Sequence, residues 1–143
     1  MTQQEADRTV TEVALVDVDV FDVYAIWRSP LLLAPFVDDR VNVELVSDTR
    51  SRWTFPGPDG TPVSCTAELV GEVPEWVLAW RVRDGPLPHE GHVDFLRRAP
   101  GTASQLTVQV RYRQPPEGAI DPDLPRRILR RTLGALAVTT RRR

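Results

Sequence analysis

The stretch LPRRILRRTLGALAV, residues 124–138, has the spacing of an amphipathic helix. One side of its helical wheel comprises Leu124, Ile128, Leu129, Thr132, Leu133, Ala135 and Leu136. The opposite side comprises Arg126, Arg127, Arg130 and Arg131. Asp121 and Pro122 predict that the helix begins there and continues to about residue 138. The residues before this helix predict a β-sheet, and no other element remains to cover one of its faces. We therefore expect the apolar side of the helix to rest on that sheet.

Alternating apolar and polar residues predict a series of strands before the helix. Leu106, Val108, Val110 and Tyr112, for example, alternate with polar residues, which is typical of a strand with one buried face. The predicted strands cover residues 9–17, 41–45, 52–55, 61–72, 76–83, 91–98 and 105–113. Pro58-Asp59-Gly60 predicts a tight turn before the fourth strand. Alternation rather than solid apolar runs favours an antiparallel sheet.

Two short helices are predicted between the first and second strands. Asp19 stands where an N-cap belongs, and an apolar stripe follows it at helical spacing. The stripe comprises Val20, Val23, Tyr24 and Trp27. Ser29-Pro30 interrupts this helix before a second one over residues 31–37. The predicted fold is therefore α+β, in the order β-α-α-β-β-β-β-β-β-α.

Length and composition exclude several classes of protein. A chain of 143 residues is near the usual size of one domain, and we expect one over residues 1–143 with an ordered core at about 9–138. No apolar run approaches a membrane span, and residues 1–10 lack a secretory pattern, so we expect a cytoplasmic protein. With one cysteine and two histidines, we expect neither a disulfide nor a metal site. No phosphate loop or dinucleotide motif is present, and we expect no cofactor.

At this level the chain resembles the START-like helix-grip superfamily (SRPBCC), and within it the bacterial polyketide cyclase/dehydrase and lipid-transport family. The matching residues extend over about residues 9–137. They are Val23-Tyr24 with Trp27, Ser51-Arg52-Trp53-Thr54, Ala67-Glu68-Leu69, Ala79-Trp80-Arg81, Gly91-His92-Val93-Asp94-Phe95, and Tyr112 followed by Pro115-Pro116. The resemblance implies a curved, seven-stranded antiparallel sheet that wraps a long C-terminal helix and leaves an internal hydrophobic cavity. Similar sequences often carry tryptophan at the position of Cys65.

The resemblance implies two alternative functions, and the residues alone do not decide between them. One is a small cyclase or aromatase that binds a reactive poly-β-ketone and promotes its cyclisation and dehydration. The other is a non-catalytic carrier or sequestering protein for a lipid, quinone or antibiotic. A third hypothesis is a protein-interaction module that uses a sheet edge or the arginine side of the last helix. The same fold serves all of these, so the choice depends on the site.

Strand alternation predicts which side chains face the cavity. The predicted ligand-binding residues are Ser51, Trp53, Phe55, Cys65, Ala67, Leu78, Trp80, Val93, Phe95, Val108, Val110 and Thr132. The alternative is that these apolar side chains simply fill the core. Such a lining suits a planar or lipid-like ligand. An apolar environment raises a thiol pKa, so we expect Cys65 to be inert.

Catalysis would need a proton donor or acceptor next to a bound carbonyl group. Tyr112 is the first candidate and Tyr24 the second, each with a core tyrosine as the alternative. His89 and Glu90 are predicted at the cavity mouth, as catalytic groups or as exposed loop residues. His92 is predicted on the outer face of the sheet.

The arginine side of the last helix predicts a solvated surface or a docking patch for an acidic acyl-carrier protein. Nucleic acid is a weaker alternative, because no exposed aromatic residues accompany the arginines. The expected partner is therefore a small hydrophobic or aromatic molecule, with an acyl-carrier protein as a second one. The sequence carries no signal for an oligomeric state.

Overall fold

The computed structural model describes residues 7–57, 59–98, 103–113 and 123–141, with side chains through residue 137. The strands are β1 (Asp7–Val16), β2 (Asn42–Leu45), β3 (Arg50–Phe55), β4 (Val63–Val73), β5 (Val77–Val82), β6 (His89–Arg98) and β7 (Ala103–Arg113). The helices are α1 (Val20–Arg28), α2 (Pro30–Val37) and α3 (Leu124–Arg141). The predicted α+β class and the order of elements are confirmed. The single domain over residues 1–143 stays a prediction.

The α1–α2 segment forms as its sequence predicts. The Asp19 carboxylate accepts a hydrogen bond from the Phe21 backbone N–H at 3.0 Å, which satisfies one of the free donors of the first turn. Pro30 then starts α2 at a position where no backbone N–H is needed. The two helices meet at a 92° bend. No single helix in the described part of the chain is long and apolar enough to span a membrane, although the bent pair passes the same test together.

All seven strands join one antiparallel sheet in the order β1-β7-β6-β5-β4-β3-β2. The first strand therefore pairs with the last, and Val10 lies opposite Val110. The register between β4 and β5 shifts between Leu69 and Gly71. Such a bulge bends a strand and increases its local twist.

The C-terminal helix covers the inner face of this sheet. α3 packs against β1 and α2, and buries Leu129, Leu133 and Leu136 on the side that its sequence predicts. On the opposite side, Arg126 and Arg130 both donate to the Glu12 carboxylate on β1. These ion pairs hold the outer edge of the helix against the sheet.

Two local predictions concern the ends of elements. The predicted end of the last helix at residue 138 is too early, because the helical backbone continues through Thr139 and Thr140 to Arg141. Its predicted start at residues 121–122 lies outside the described residues. In the β3–β4 turn, Gly60 has the predicted left-handed conformation, with a φ of 87°, whereas Pro58 is outside the described residues.

Candidate functional site

A cavity of about 240 Å³ lies between the inner face of the sheet and the helices. β3, β4 and β5 supply one wall, whereas α1, α2 and α3 supply the other. The predicted ligand-binding residues that line it are Ser51, Trp53, Phe55, Cys65, Ala67, Leu78, Trp80, Val110 and Thr132. Most of these side chains are apolar or aromatic, so the lining of the cavity is mainly apolar and aromatic.

Three predicted ligand-binding residues do not line this cavity. Val93, Phe95 and Val108 point to the predicted face of the sheet but are buried in the core. The Phe95 ring packs edge-on against Tyr24, with 5.3 Å between the ring centroids. Alternation identifies the face of a strand correctly, but the helices packed on that face determine which part of it stays open.

The lining also contains residues that the sequence prediction missed. Trp27 ends the apolar stripe of α1, and Pro30, Leu33 and Val37 come from α2. Leu87 precedes β6 and completes the lining beside His89. The apolar composition of residues 30–37 was the available signal, because a short helix with so few polar residues needs an apolar partner on more than one side.

Aromatic rings in the lining form two groups. On β3, Trp53 and Phe55 lie nearly parallel, with centroids 6.3 Å apart and an angle of 17° between the rings. Trp27 on α1 and Trp80 on β5 are also 6.3 Å apart, at 33°. Such rings present large, rigid apolar surfaces at fixed angles. They suit a ligand with flat apolar rings.

His89 is the candidate catalytic residue that the structure places in the cavity wall. Its Nδ1 lies 2.8 Å from the Leu87 carbonyl oxygen, and its Nε2 lies 3.2 Å from the indole Nε1 of Trp80. A carbonyl oxygen accepts and an indole N–H donates, so Nδ1 carries the proton and Nε2 is the acceptor. Burial lowers the pKa of His89 from its usual 6.5, against the opposing effect of the Leu87 carbonyl. The imidazole is therefore neutral near pH 7.

This arrangement predicts that the free energy of unfolding falls as the pH falls below about 6.5. The unfolded chain binds a proton at His89 at a higher pH than the folded chain does, so acid favours unfolding. Chemical denaturation between about pH 7.5 and about pH 5 should show a smaller pH dependence in His89→Gln than in the wild type.

The matched control for this experiment is His92→Gln on the outer face. His92 is half exposed and lies 3.7 Å from the Asp94 carboxylate, so its replacement should leave the pH dependence from His89 in place. Equal pH dependence of the wild type and His89→Gln would contradict the neutral, hydrogen-bonded state of His89.

Tyr24 does not line the cavity. It is buried at the α1 end of the core, where its hydroxyl donates to the Glu72 carboxylate. Arg28 binds the same Glu72 oxygen through Nε at 2.9 Å. Burial and the Glu72 carboxylate raise the pKa of Tyr24 well above its usual range. The tyrosine is thus a structural link between α1 and β4, and a poor proton donor.

Tyr112 and Glu90 are also outside the cavity. Tyr112 is buried in the core cluster, opposite His89 in the register of β6 and β7. Glu90 faces the outer side of the sheet, where it accepts a hydrogen bond from Arg111 at 2.7 Å. The prediction placed Glu90 at the cavity mouth because it began the strand at residue 91. Since β6 begins at His89, alternation already directs Glu90 outward.

Cys65 lies in the lining, opposite Trp53 in the register of β3 and β4. Burial, with a smaller effect of Asp84, raises the pKa of its thiol to about 11. The thiol is therefore protonated near pH 7, as expected for a cysteine in an apolar environment. Within the described part of the chain, no three histidine, cysteine or acidic residues are grouped in a way that could hold a metal ion.

Charged residues at the cavity rim form ion pairs with one another. Arg28 binds Glu72 and also lies 3.5 Å from the Asp48 carboxylate. Arg50 lies 3.2 Å from Glu68, and Arg81 on the outer face binds the other oxygen of Glu68. Arg28 is therefore matched by two carboxylates, whereas Arg50 and Arg81 share one.

No family model matches the chain, and no curated protein matches it. Several solved structures do match the chain. A protein from Deinococcus radiodurans is 27% identical, with a TM-score of 0.66, over 92% of this chain and 95% of that one. A START superfamily protein from Mycobacterium smegmatis is 11% identical, with a TM-score of 0.75, over 94% and 97%. Ginseng major latex-like protein 151 from Panax ginseng is 12% identical, with a TM-score of 0.70, over 94% and 98%.

The sheet, the long final helix and the cavity between them define a helix-grip protein. The similar structures confirm the predicted START-like helix-grip (SRPBCC) fold for this chain.

Proposed function

We propose that this protein binds a hydrophobic, ring-containing small molecule in its cavity and acts as a carrier or sequestering protein. The aromatic lining carries the proposal: Trp27, Trp53, Phe55 and Trp80 present ring surfaces to one cavity. Transfer of a ligand's rings from water to such apolar surfaces provides the favourable free energy of binding. The START-like fold of the chain supports this proposal.

Cyclisation and dehydration of a poly-β-ketone is the second candidate function. Its support is His89, a neutral imidazole in the cavity wall that has the protonation state of a general base. Against it, Nε2 of His89 already accepts the Trp80 indole N–H. Tyr24, Tyr112 and Glu90 are away from the cavity. The acidic side chains of the described lining, Asp48 and Glu68, form ion pairs with arginines and are not placed as proton donors beside this base. The geometry therefore favours binding over catalysis.

The test of the proposed function is a tryptophan-fluorescence titration with aromatic polyketides and fatty acids. Three of the four tryptophans line the cavity, so a bound ligand should change the emission saturably. The protein is then tested separately for turnover of a linear poly-β-ketone thioester. Binding without turnover supports the carrier, turnover that is lost in His89→Gln supports the cyclase, and no saturable change overturns both.

An acyl-carrier protein as partner belongs to the cyclase candidate. Arg126 and Arg130 on α3 bind Glu12, and Arg131 is exposed on the same helix. This pairing reduces the positive charge that the helix presents. A cytoplasmic location likewise stays a proposal from the sequence.

A further inference from the structure

Most hydrogen-bond donors in the cavity wall are used by the protein itself. The Trp53 indole Nε1 donates to the Ser51 hydroxyl at 3.0 Å, and the Trp80 indole donates to His89. The Thr132 hydroxyl donates to the Ile128 carbonyl oxygen at 2.8 Å. A ligand that needs several donors would have to break these bonds.

Trp27 differs from the other two tryptophans of the lining. Its ring contacts Trp80 in the cavity wall, but its buried Nε1 has no hydrogen-bond partner among the described residues. A buried N–H without a partner is uncommon and unfavourable, and a single acceptor atom removes the penalty. Among the indole N–H groups of the described lining, that of Trp27 is therefore the one without an acceptor from the protein.

The rim adds a selection by charge. Arg28 faces two carboxylates of the protein, Glu72 and Asp48, and Arg50 is bound to Glu68, which it shares with Arg81. The arginine on the helix side of the rim is therefore already neutralised by the protein. A carboxylate that enters the apolar lining would lose its water without gaining a counter-ion, which is strongly unfavourable. A neutral ligand does not meet this cost.

We propose that the cavity selects neutral ring ligands with one carbonyl-type acceptor, and that the Trp27 indole N–H is the donor that recognises this acceptor. This inference rests on the proposed function and narrows its class of ligand. Trp27 is thereby a specificity-determining residue, in contact with the ligand but without a chemical role.

Three naphthalene derivatives with the same shape and ring position test the proposal: a methyl ketone, its isopropenyl analogue and the carboxylate. Equilibrium dialysis measures the affinity of each for the full-length protein. We expect the ketone to bind roughly three- to tenfold more tightly than the isopropenyl analogue, which lacks the acceptor. We expect the carboxylate to bind at least about tenfold more weakly than the ketone. A carboxylate that binds as tightly as the ketone would overturn the selection by charge.

The Trp27→Phe variant tests the donor, because it keeps an aromatic ring and removes the N–H. The affinity for the ketone should fall to that for the isopropenyl analogue, whose own affinity changes by less than about twofold. Trp53→Phe is the matched control, since it removes an indole N–H that already binds Ser51, and it should keep the preference for the ketone. A preference that survives in Trp27→Phe would overturn the role of Trp27. If none of the three compounds binds, the proposed function fails as well.

Discussion

The Cys65→Trp variant is expected to weaken binding of every cavity ligand by more than about 100-fold, while its fold is kept. The Cys65 side chain lines the cavity directly opposite Trp53. An indole in place of a thiol occupies space that the ligand needs in a cavity of only about 240 Å³. The fluorescence titration of the wild type, repeated on the variant, measures the loss.

Cys65→Ala is the control for this experiment, because it removes the thiol without filling the cavity. Since the raised pKa of about 11 keeps the thiol protonated, its loss should leave binding within about threefold of the wild type. Thermal unfolding of both variants shows whether the fold is intact. Binding of a ligand by a folded Cys65→Trp protein with unchanged affinity would show that the ligand binds elsewhere.

Gly91→Ala is expected to destabilise the protein by about 1–3 kcal/mol and to displace the Trp80 ring. Gly91 lies opposite Trp80 in the register of β5 and β6. A Cβ atom at Gly91 would lie 2.3 Å from Cζ2 and 2.6 Å from Cε2 of the indole, far inside the contact distance of carbon atoms. Because the ring must move, the hydrogen bond from Trp80 to His89 and the packing on Trp27 are lost together. Chemical denaturation measures the first effect, and ligand affinity the second.

Gly134→Ala provides the matched comparison for the same substitution. Gly134 lies on the exposed side of α3, and an added Cβ meets nothing within 4 Å there. Alanine in place of glycine inside a helix stabilises it by about 0.5–1 kcal/mol. The two variants should therefore shift stability in opposite directions. A Gly91→Ala protein as stable as the wild type, with unchanged tryptophan emission, would contradict the position of Trp80.

The order of elements follows from the sequence because each type of periodicity has a local cause. Val20, Val23 and Tyr24 are buried at helical spacing, and β7 buries alternate residues from Ser104 to Tyr112. The N-cap at Asp19 and the turn at Gly60 depend on one side chain and one backbone angle. Interactions over such short distances are visible in the sequence.

The shape of the candidate site depends instead on contacts between distant elements. Val93 and Val110 lie on the same face of the sheet, but Val93 is fully buried in the core whereas Val110 lines the cavity. The difference arises from where the helices cover the sheet, which no strand pattern contains. Trp27 joins the lining for the same reason, since the bend between α1 and α2 brings it beside Trp80.

The candidate catalytic residues show the same limit. His89 was predicted at the cavity, but its state depends on Leu87 and Trp80, and Trp80 comes from the neighbouring strand. Tyr24 has a suitable side chain, yet Glu72, distant in the sequence, binds its hydroxyl. A residue type thus identifies possible chemistry, whereas its partners determine whether that chemistry is available.

The most direct test of a ligand-binding cavity is nitrogen–proton correlation NMR of the tryptophan indoles during titration with the naphthyl methyl ketone. The signals of Trp27, Trp53 and Trp80 should shift saturably with one dissociation constant, because these rings line the cavity. Trp76, which is 69% exposed outside it, should not shift. Substitution of each tryptophan by phenylalanine assigns the signals. A shift of Trp76 alone, or no saturable shift of the other three, would contradict the cavity as the ligand site.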